Sequence, residues 1–319
     1  MSVILAIDGG GSRTRCLAIN QQGRVVGEAV AGPSNHLLVD LAVVKESLVE
    51  VIDTTLRKGK LDRSNVACLS AGLAGVDFDG AGALEMATLM TELGFHSVVI
   101  NGDMVIAHAG ALSSRAGVVT LSGTGSVTLG IGDDGKRVKV GGWGPVYGDE
   151  GSAYGIGQMA LRAAARDFDR RGPATTLTRR ILNALELKDF TETIRRVYVE
   201  GMETREIAAL SRVAYDAAKE GDDVARNIFL QAGDEVAESV KAAIQQLEWG
   251  DAEVLVSYQG GVLDSCPLLF ERFVETLMNI APMGTVVAPR FEPVIGAYLL
   301  GCKELGWRSH DVSTMFDTL

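Results

Sequence analysis

Apolar positions along this chain follow two alternating rhythms. VILAID (3–8), TRCLAIN (14–20) and RVVGEAVAG (24–32) are short runs rich in β-branched residues, separated by glycine-bearing turns, and predict three consecutive antiparallel strands. Over 38–59 the period changes: Leu41, Val44, Leu48, Val51 and Ile52 recur at helical spacing, and Gly59 stands where a C-cap is expected. VACLSAGLAG (66–75) then predicts a buried strand, GALEMATLMTELG (82–94) a helix, SVVINGD (97–103) a strand and MVIAHAGALSS (104–114) a helix. From about residue 116 the order begins again. AGVVTLS, VTLGIG and KRVKVGGW predict three strands, a helical region follows over 151–248 with breaks near 171–173 and 221–223, and strand, helix, strand, helix close the chain. This is the pattern of a duplication whose second copy carries a helical insertion.

Each copy opens on a glycine loop. IDGGGSRT (7–14) and LSGTGSVT (121–128) share the frame G-x-G-S-x-T, at Gly9/Gly11/Ser12/Thr14 and Gly123/Gly125/Ser126/Thr128. Neither contains the lysine of a P-loop, and both return directly to a strand, unlike the dinucleotide fingerprint that opens a helix. A glycine-rich hairpin can still hold phosphate, because glycine accepts positive φ and lets backbone N–H groups approach an anion. Gly10, Gly11, Gly123 and Gly125 supply the backbone, and Ser12, Thr14, Thr124 and Ser126 the hydroxyls. For one such loop, a tight turn and nothing more is the alternative; two copies, each after the first strand of a repeat, favour a phosphate clamp. The copies differ where Asp8 has Ser122 as its counterpart. A carboxylate beside bound phosphate repels it unless a cation intervenes, so Asp8 points to Mg²⁺, reached through water. Capping of its own loop is the alternative for Asp8.

The composition narrows the field. At 319 residues, 47% hydrophobic and 22% charged, two globular domains are expected. A net charge of −11 argues against a nucleic-acid partner, which needs clustered Lys and Arg. The four cysteines form no C-x-x-C pair and read as reduced buried thiols. No run approaches the ~20 apolar residues of a membrane span, and VILAI is too short for a signal peptide, so a cytoplasmic protein is expected.

IDGGGSRT, LSGTGS, GGWGPVYGDEGSAYGIG (141–157) and YQGGV (258–262), in that order, resemble the N-acetylglucosamine kinase group and its BadF/BadG-type relatives in the actin/hexokinase/Hsp70 ATPase superfamily. The resemblance spans nearly the whole chain and is least informative over 165–225. It implies an α/β fold of two ribonuclease-H-like (actin-like ATPase) domains with a deep cleft between them that holds ATP. Residues 1–114 would form the first domain, with the last helix (293–307) packing back on it, and 115–292 the second. The implied activity is ATP- and Mg²⁺-dependent phosphorylation of an amino sugar, foremost N-acetylglucosamine to its 6-phosphate, by a homodimer. A glucosamine kinase, or a BadF-type ATPase activator without a sugar substrate, is the alternative; activators hold an iron–sulfur cluster through cysteines, whereas Cys16 and Cys68 fall at strand-like core positions.

Transfer to a sugar hydroxyl needs a carboxylate that accepts its proton. Asp103, at the junction of a strand and a helix, is the candidate base, and a helix N-cap is its alternative. The family pattern there is Asn-Asp followed by a small residue; here Gly102 intervenes and Met104 follows. By resemblance, Asn35 of GPSNH, Asp103, Gly125 and Asp149 of GDEGS contact the sugar, with Trp143 and Tyr147 along its apolar face. Gly260 and Gly261 of YQGGV would bring backbone against the adenosine. Plain turn chemistry is the alternative for Asn35, Asp149 and the Gly-Gly pair. His36, His96, His108 and His310 are dispersed, and none is assigned to catalysis.

Overall fold

The computed structural model describes residues 1–77, 82–250 and 252–308; His310 lies outside them. The chain forms two compact units, Met1–Ala116 with the chain from Ala288 onward, and Gly117–Val287. Residues 288–292, assigned by the sequence to the second half, thus group with the first unit.

In the first unit β1 (Val3–Gly9), β2 (Thr14–Asn20) and β3 (Val25–Ala31) form an antiparallel meander. Helix α1 (Leu41–Gly59), β4 (Val66–Leu73), α2 (Ala83–Glu92), β5 (Val98–Gly102) and α3 (Asp103–Leu112) follow. The sheet order is β3-β2-β1-β4-β5, with β4 and β5 parallel to β1. β1 is central and covered on both faces, which is why its sequence is a nearly unbroken apolar run. Val3, Leu5 and Ile7 join the core beneath α1 and α2, whereas Ile4 and Ala6 face the opposite side.

In the second unit β6 (Gly117–Ser122), β7 (Ser126–Ile131) and β8 (Arg137–Gly141) repeat the meander. The predicted helical region resolves into α4 (Ala153–Phe168), α5 (Leu177–Ala184), a short α6 (Glu192–Ile194) running into a π-helical stretch at Arg195–Val199, α7 (Thr204–Lys219) and α8 (Asp223–Gln246). Then come β9 (Val254–Gln259), α9 (Gly261–Ser265), α10 (Pro267–Ile280) and β10 (Gly284–Val286). The order β8-β7-β6-β9-β10 matches the first sheet strand for strand, so the duplication holds in three dimensions. Among the described residues no helix is long and apolar enough to cross a membrane.

The last helix, α11 (Pro293–Leu305), belongs to the first unit. Val294, Ile295, Tyr298 and Cys302 pack onto Ile4, Ala6, Leu17 and Cys68, on the face of the sheet that also carries Ile106 of α3. Helices α3 and α11 cross at two glycines. A Cβ on Gly296 would run into the Ile106 carbonyl, and one on Gly110 into the carbonyls of Phe291 and Glu292. Gly59 also serves packing rather than the cap expected of it. The left-handed cap residue is Lys60 (φ 53°), while a Cβ on Gly59 would lie 3.1 Å from the Val26 carbonyl of β3.

Alanine favours helix over glycine by about 1 kcal/mol, but at Gly296 the backbone of α3 occupies the space its methyl needs. Gly296→Ala should therefore destabilise the protein by about 1–3 kcal/mol. The measurement is the urea unfolding midpoint, and an unchanged or raised midpoint would mean that the helices do not meet at this residue.

Candidate active site

The first hairpin is tied to its own unit through its carbonyls. Gly9 O accepts from Ala74 N (2.7 Å) and Gly10 O from Ser34 N (3.0 Å), and Gly10 N donates to Arg13 O (2.9 Å). Among the described residues the N–H groups of Gly11 and Ser12 carry no hydrogen bond. The Ser12 side chain is exposed, but Thr14 is fully buried. Thr14 Oγ1 donates to Gly32 O (2.8 Å) and lies 2.8 Å from Ser34 Oγ, so its hydroxyl pins the 32–34 loop rather than facing a phosphate as the sequence suggested. None of Gly9, Gly10 and Gly11 uses positive φ. What requires glycine is close approach: a Cβ on Gly9 would meet Ser34 and Leu73, and one on Gly11 would lie 3.1 Å from Leu38. Asn35 Oδ1 accepts from Leu37 N (3.0 Å), which leaves the amide NH₂ as the group it can offer.

Alternation along β1 turns Asp8 to the same face as Ile4 and Ala6, the side on which α3 and α11 lie. The strand register places Asp8, Gly72 and Asn101 in one row. Gly72 has no side chain in the middle of that row because Ile106 of α3 fills the space a Cβ would need. Asp103 begins α3, where Gly102 is the N-cap; its Oδ1 accepts from the next residue, Met104 N (2.8 Å). Asp103 is therefore the first helical residue rather than the cap. Gly102 sits between Asn101 and Asp103 because a Cβ there would strike the Val76 carbonyl. Burial, and then the neighbouring Asp103 carboxylate, push Asp8 up to about 6, against the weaker pull of Arg13 and Arg15.

The second hairpin repeats the hydrogen-bond economy. Gly123 O accepts from Ala153 N (2.9 Å) and Thr124 O from Tyr154 N (3.2 Å), joining the loop to the first turn of α4. Among the described residues the N–H groups of Thr124 and Gly125 remain unbonded. Ser122, the counterpart of Asp8, is fully buried and donates to Gly151 O (2.7 Å). The Ser126 hydroxyl, expected at a phosphate, donates to Glu150 O (2.6 Å). Asp149 is buried with a left-handed backbone (φ 63°), and Ser126 N donates to its Oδ1 (3.3 Å). Burial raises its pKa above the ordinary carboxylate range. A Cβ on Gly125 would lie 2.8 Å from Asp149 Oδ1, so these two expected sugar contacts are neighbours. Gly155 follows Tyr154 because α4 starts against the Asp149 carbonyl, 2.8 Å from where a Cβ would stand. Trp143 and Tyr147 are 65% and 71% exposed and stack at 6.4 Å, so neither is a core residue.

Beside this hairpin the second unit has a cavity of about 950 Å³. Gly123 and Thr124 line it together with Gly261, Val262, Ile156 and Cys266. Gly260 (φ 106°) lies so close to Ser122 that a Cβ would collide with its carbonyl, which seats the start of α9 directly on the hairpin. The opposite wall is α7, which no motif in the sequence marked. Its signal was available only as Gly157, where the lack of a side chain lets the Ile207 carbonyl of α7 approach α4.

The BadF/BadG/BcrA/BcrD ATPase family model matches residues 5–301. The chain belongs to this family. It is 34% identical over 307 residues to the N-acetylmuramic acid/N-acetylglucosamine kinase of Clostridium acetobutylicum, an alignment covering 95% of this chain and 99% of that protein. With the N-acetyl-D-glucosamine kinase of Dictyostelium discoideum it shares 29% over 310 residues, covering 93% and 97%. A solved structure from Chromobacterium violaceum, described as a candidate N-acetylglucosamine kinase, superposes with a TM-score of 0.73 at 25% identity, covering 94% of this chain and 98% of that one. Two five-stranded mixed sheets with flanking helices are thus the α/β, actin-like ATPase fold that the sequence implied. Within it Cys16 and Cys68 are buried in the core of the first unit.

Family membership raises the question of a metal. Asp8 and Asp103 offer hard oxygen ligands, and their mutual repulsion is what a divalent cation relieves. Among the described residues no group of three or more His, Cys, Asp or Glu side chains is placed to hold a metal. The donor set therefore fits Mg²⁺, which takes one or two carboxylates and completes its shell with water and phosphate oxygens.

Without metal, the folded chain binds the Asp8 proton more tightly than the unfolded chain, whose carboxyl has the ordinary value of 3.8. Its contribution to stability is thus greatest at low pH and is lost as pH rises from about 4 to about 6, by about 3 kcal/mol in all. Asp8→Asn should gain stability over the wild type at pH 7 and lose that gain at pH 4 in EDTA. Urea unfolding at both pH values checks it, and an equal difference at both would overturn it.

Proposed function

We propose that this protein transfers the γ-phosphoryl group of ATP to the 6-hydroxyl of an amino sugar, N-acetylglucosamine before others. The observation that carries the reading is the repeated hairpin with tied carbonyls and unbonded N–H groups, the first copy carrying Asp8 within reach of the Asp103 charge and the second carrying Asp149 beside Gly125. Such N–H groups recognise anions. In the second unit Thr124 and Gly125 would take phosphate oxygens, and the adjoining cavity, of the size ligand sites have, the nucleoside. In the first unit Gly11 and Ser12 would hold phosphate in the same way.

Asp103 is the general base on this reading. Fixed at the start of α3 by Met104 N–H, it would accept the 6-hydroxyl proton and aim the oxygen at the phosphorus. Asp8 would hold Mg²⁺ through water; when bound, the cation neutralises charge on the transferring phosphate. The Asn35 amide and the buried Asp149 carboxylate supply a donor and an acceptor for sugar hydroxyls. The amino sugar itself is supported by the Clostridium and Dictyostelium relatives, whose alignments run nearly end to end. Because the Clostridium protein also acts on N-acetylmuramic acid by name, that sugar is the second candidate substrate. The enzyme would work in the cytoplasm, where ATP is available, as a homodimer.

A coupled ADP-release assay over N-acetylglucosamine, N-acetylmuramic acid, glucosamine and glucose tests the substrate. Asp103→Asn should lower kcat by roughly 10²–10⁴-fold with nucleotide affinity kept, the usual worth of a general base. Near-normal turnover in that variant removes Asp103 from the role.

A further inference from the structure

Helix α7 turns one stripe of residues to the cavity, Arg205, Ala208, Arg212 and Tyr215, at steps of three and four. Ala208 and its neighbour Ala209 end in methyl groups, which leaves depth at the middle of the wall. Tyr215 is engaged elsewhere: the Lys219 ammonium lies 4.9 Å from its ring centroid. Arg205 is paired with Glu203 (2.7 Å). Arg212 is exposed and lines the cavity, and its side chain has no ion pair or hydrogen bond among the described residues. The two serine hydroxyls of the wall are already committed, since Ser211 donates to Ala208 O (2.7 Å) and Ser265 to Gly261 O. They have only lone pairs to offer a ligand.

We propose that Arg212 is the residue that reads the nucleotide base, its guanidinium lying flat on a purine ring lodged between α7 and the start of α9. This rests on the nucleotide reading of the cavity given above. A guanidinium is planar and weakly hydrated, so it stacks on an aromatic face at little desolvation cost, which an ammonium does not do. Stacking rewards ring area rather than an edge pattern, and Ser211 and Ser265 have no proton to give an edge. The site therefore favours purine over pyrimidine triphosphates.

The test is steady-state kinetics on the full chain with ATP and UTP at saturating N-acetylglucosamine, for wild type, Arg212→Ala and Arg212→Lys. Arg212→Ala should raise the KM for ATP about tenfold while leaving kcat, the KM for the sugar and the melting temperature unchanged. It should also shrink the preference for ATP over UTP, and Arg212→Lys should not restore it. A wild-type KM for ATP in Arg212→Ala, equal losses for ATP and UTP, or full rescue by lysine each overturns the assignment. A wild-type protein that transfers phosphate to no sugar instead sinks the nucleotide reading, and this inference with it.

Discussion

The first strand of each sheet is hydrogen-bonded on both sides in opposite senses, antiparallel to its hairpin partner and parallel to the strand after it in the sheet. Much of the chemistry follows from that arrangement. The hairpin reverses at the carboxyl end of the strand, and the parallel neighbours finish at the same end. Asp8, Gly72, Asn101 and Asp103 consequently collect at one edge of the first sheet. Ser122, Gly123, Gly260 and Gly261 collect at the corresponding edge of the second. Open α/β sheets bind ligands outside the carboxyl ends of their strands for this reason.

Within that frame the two copies divide their work by hydrogen bonding. Both hairpins tie their carbonyls inward, to Ser34 and Ala74 in one unit and to the first turn of α4 in the other. N–H groups are what remain, and N–H groups recognise anions. The copies part most sharply in charge where Asp8 has Ser122 as its counterpart. Asp8 sits half-buried near Asp103, a charge held at a cost, whereas Ser122 spends its hydroxyl on Gly151 and is electrostatically silent.

Much of this was legible in the residues. The G-x-G-S-x-T frame marked both hairpins, the change of period marked strands and helices, and the strand–helix junction marked Asp103. The expectations that changed were those resting on what a residue type can do rather than on what its neighbours leave it. The loop glycines do not use positive φ; they make room for Ser34, Leu38 and Asp149. Thr14 and Ser126 are hydroxyl donors, but backbone carbonyls claim them first. Gly59 suits a cap, yet it packs closely against β3 and the residue in the left-handed conformation is Lys60.

The sequence by itself determined the period of each element, the duplication and the residue types at the two hairpins, since these depend on neighbours a few residues apart. Only the tertiary structure decided that α7 walls the cavity, that Arg212 faces it unpaired, and that Asp8 feels Asp103. Those properties depend on burial and on distances between residues tens to more than a hundred positions apart. An electrostatic interaction between two carboxylates depends on the medium and spacing that the fold imposes, and no local pattern along the chain encodes either.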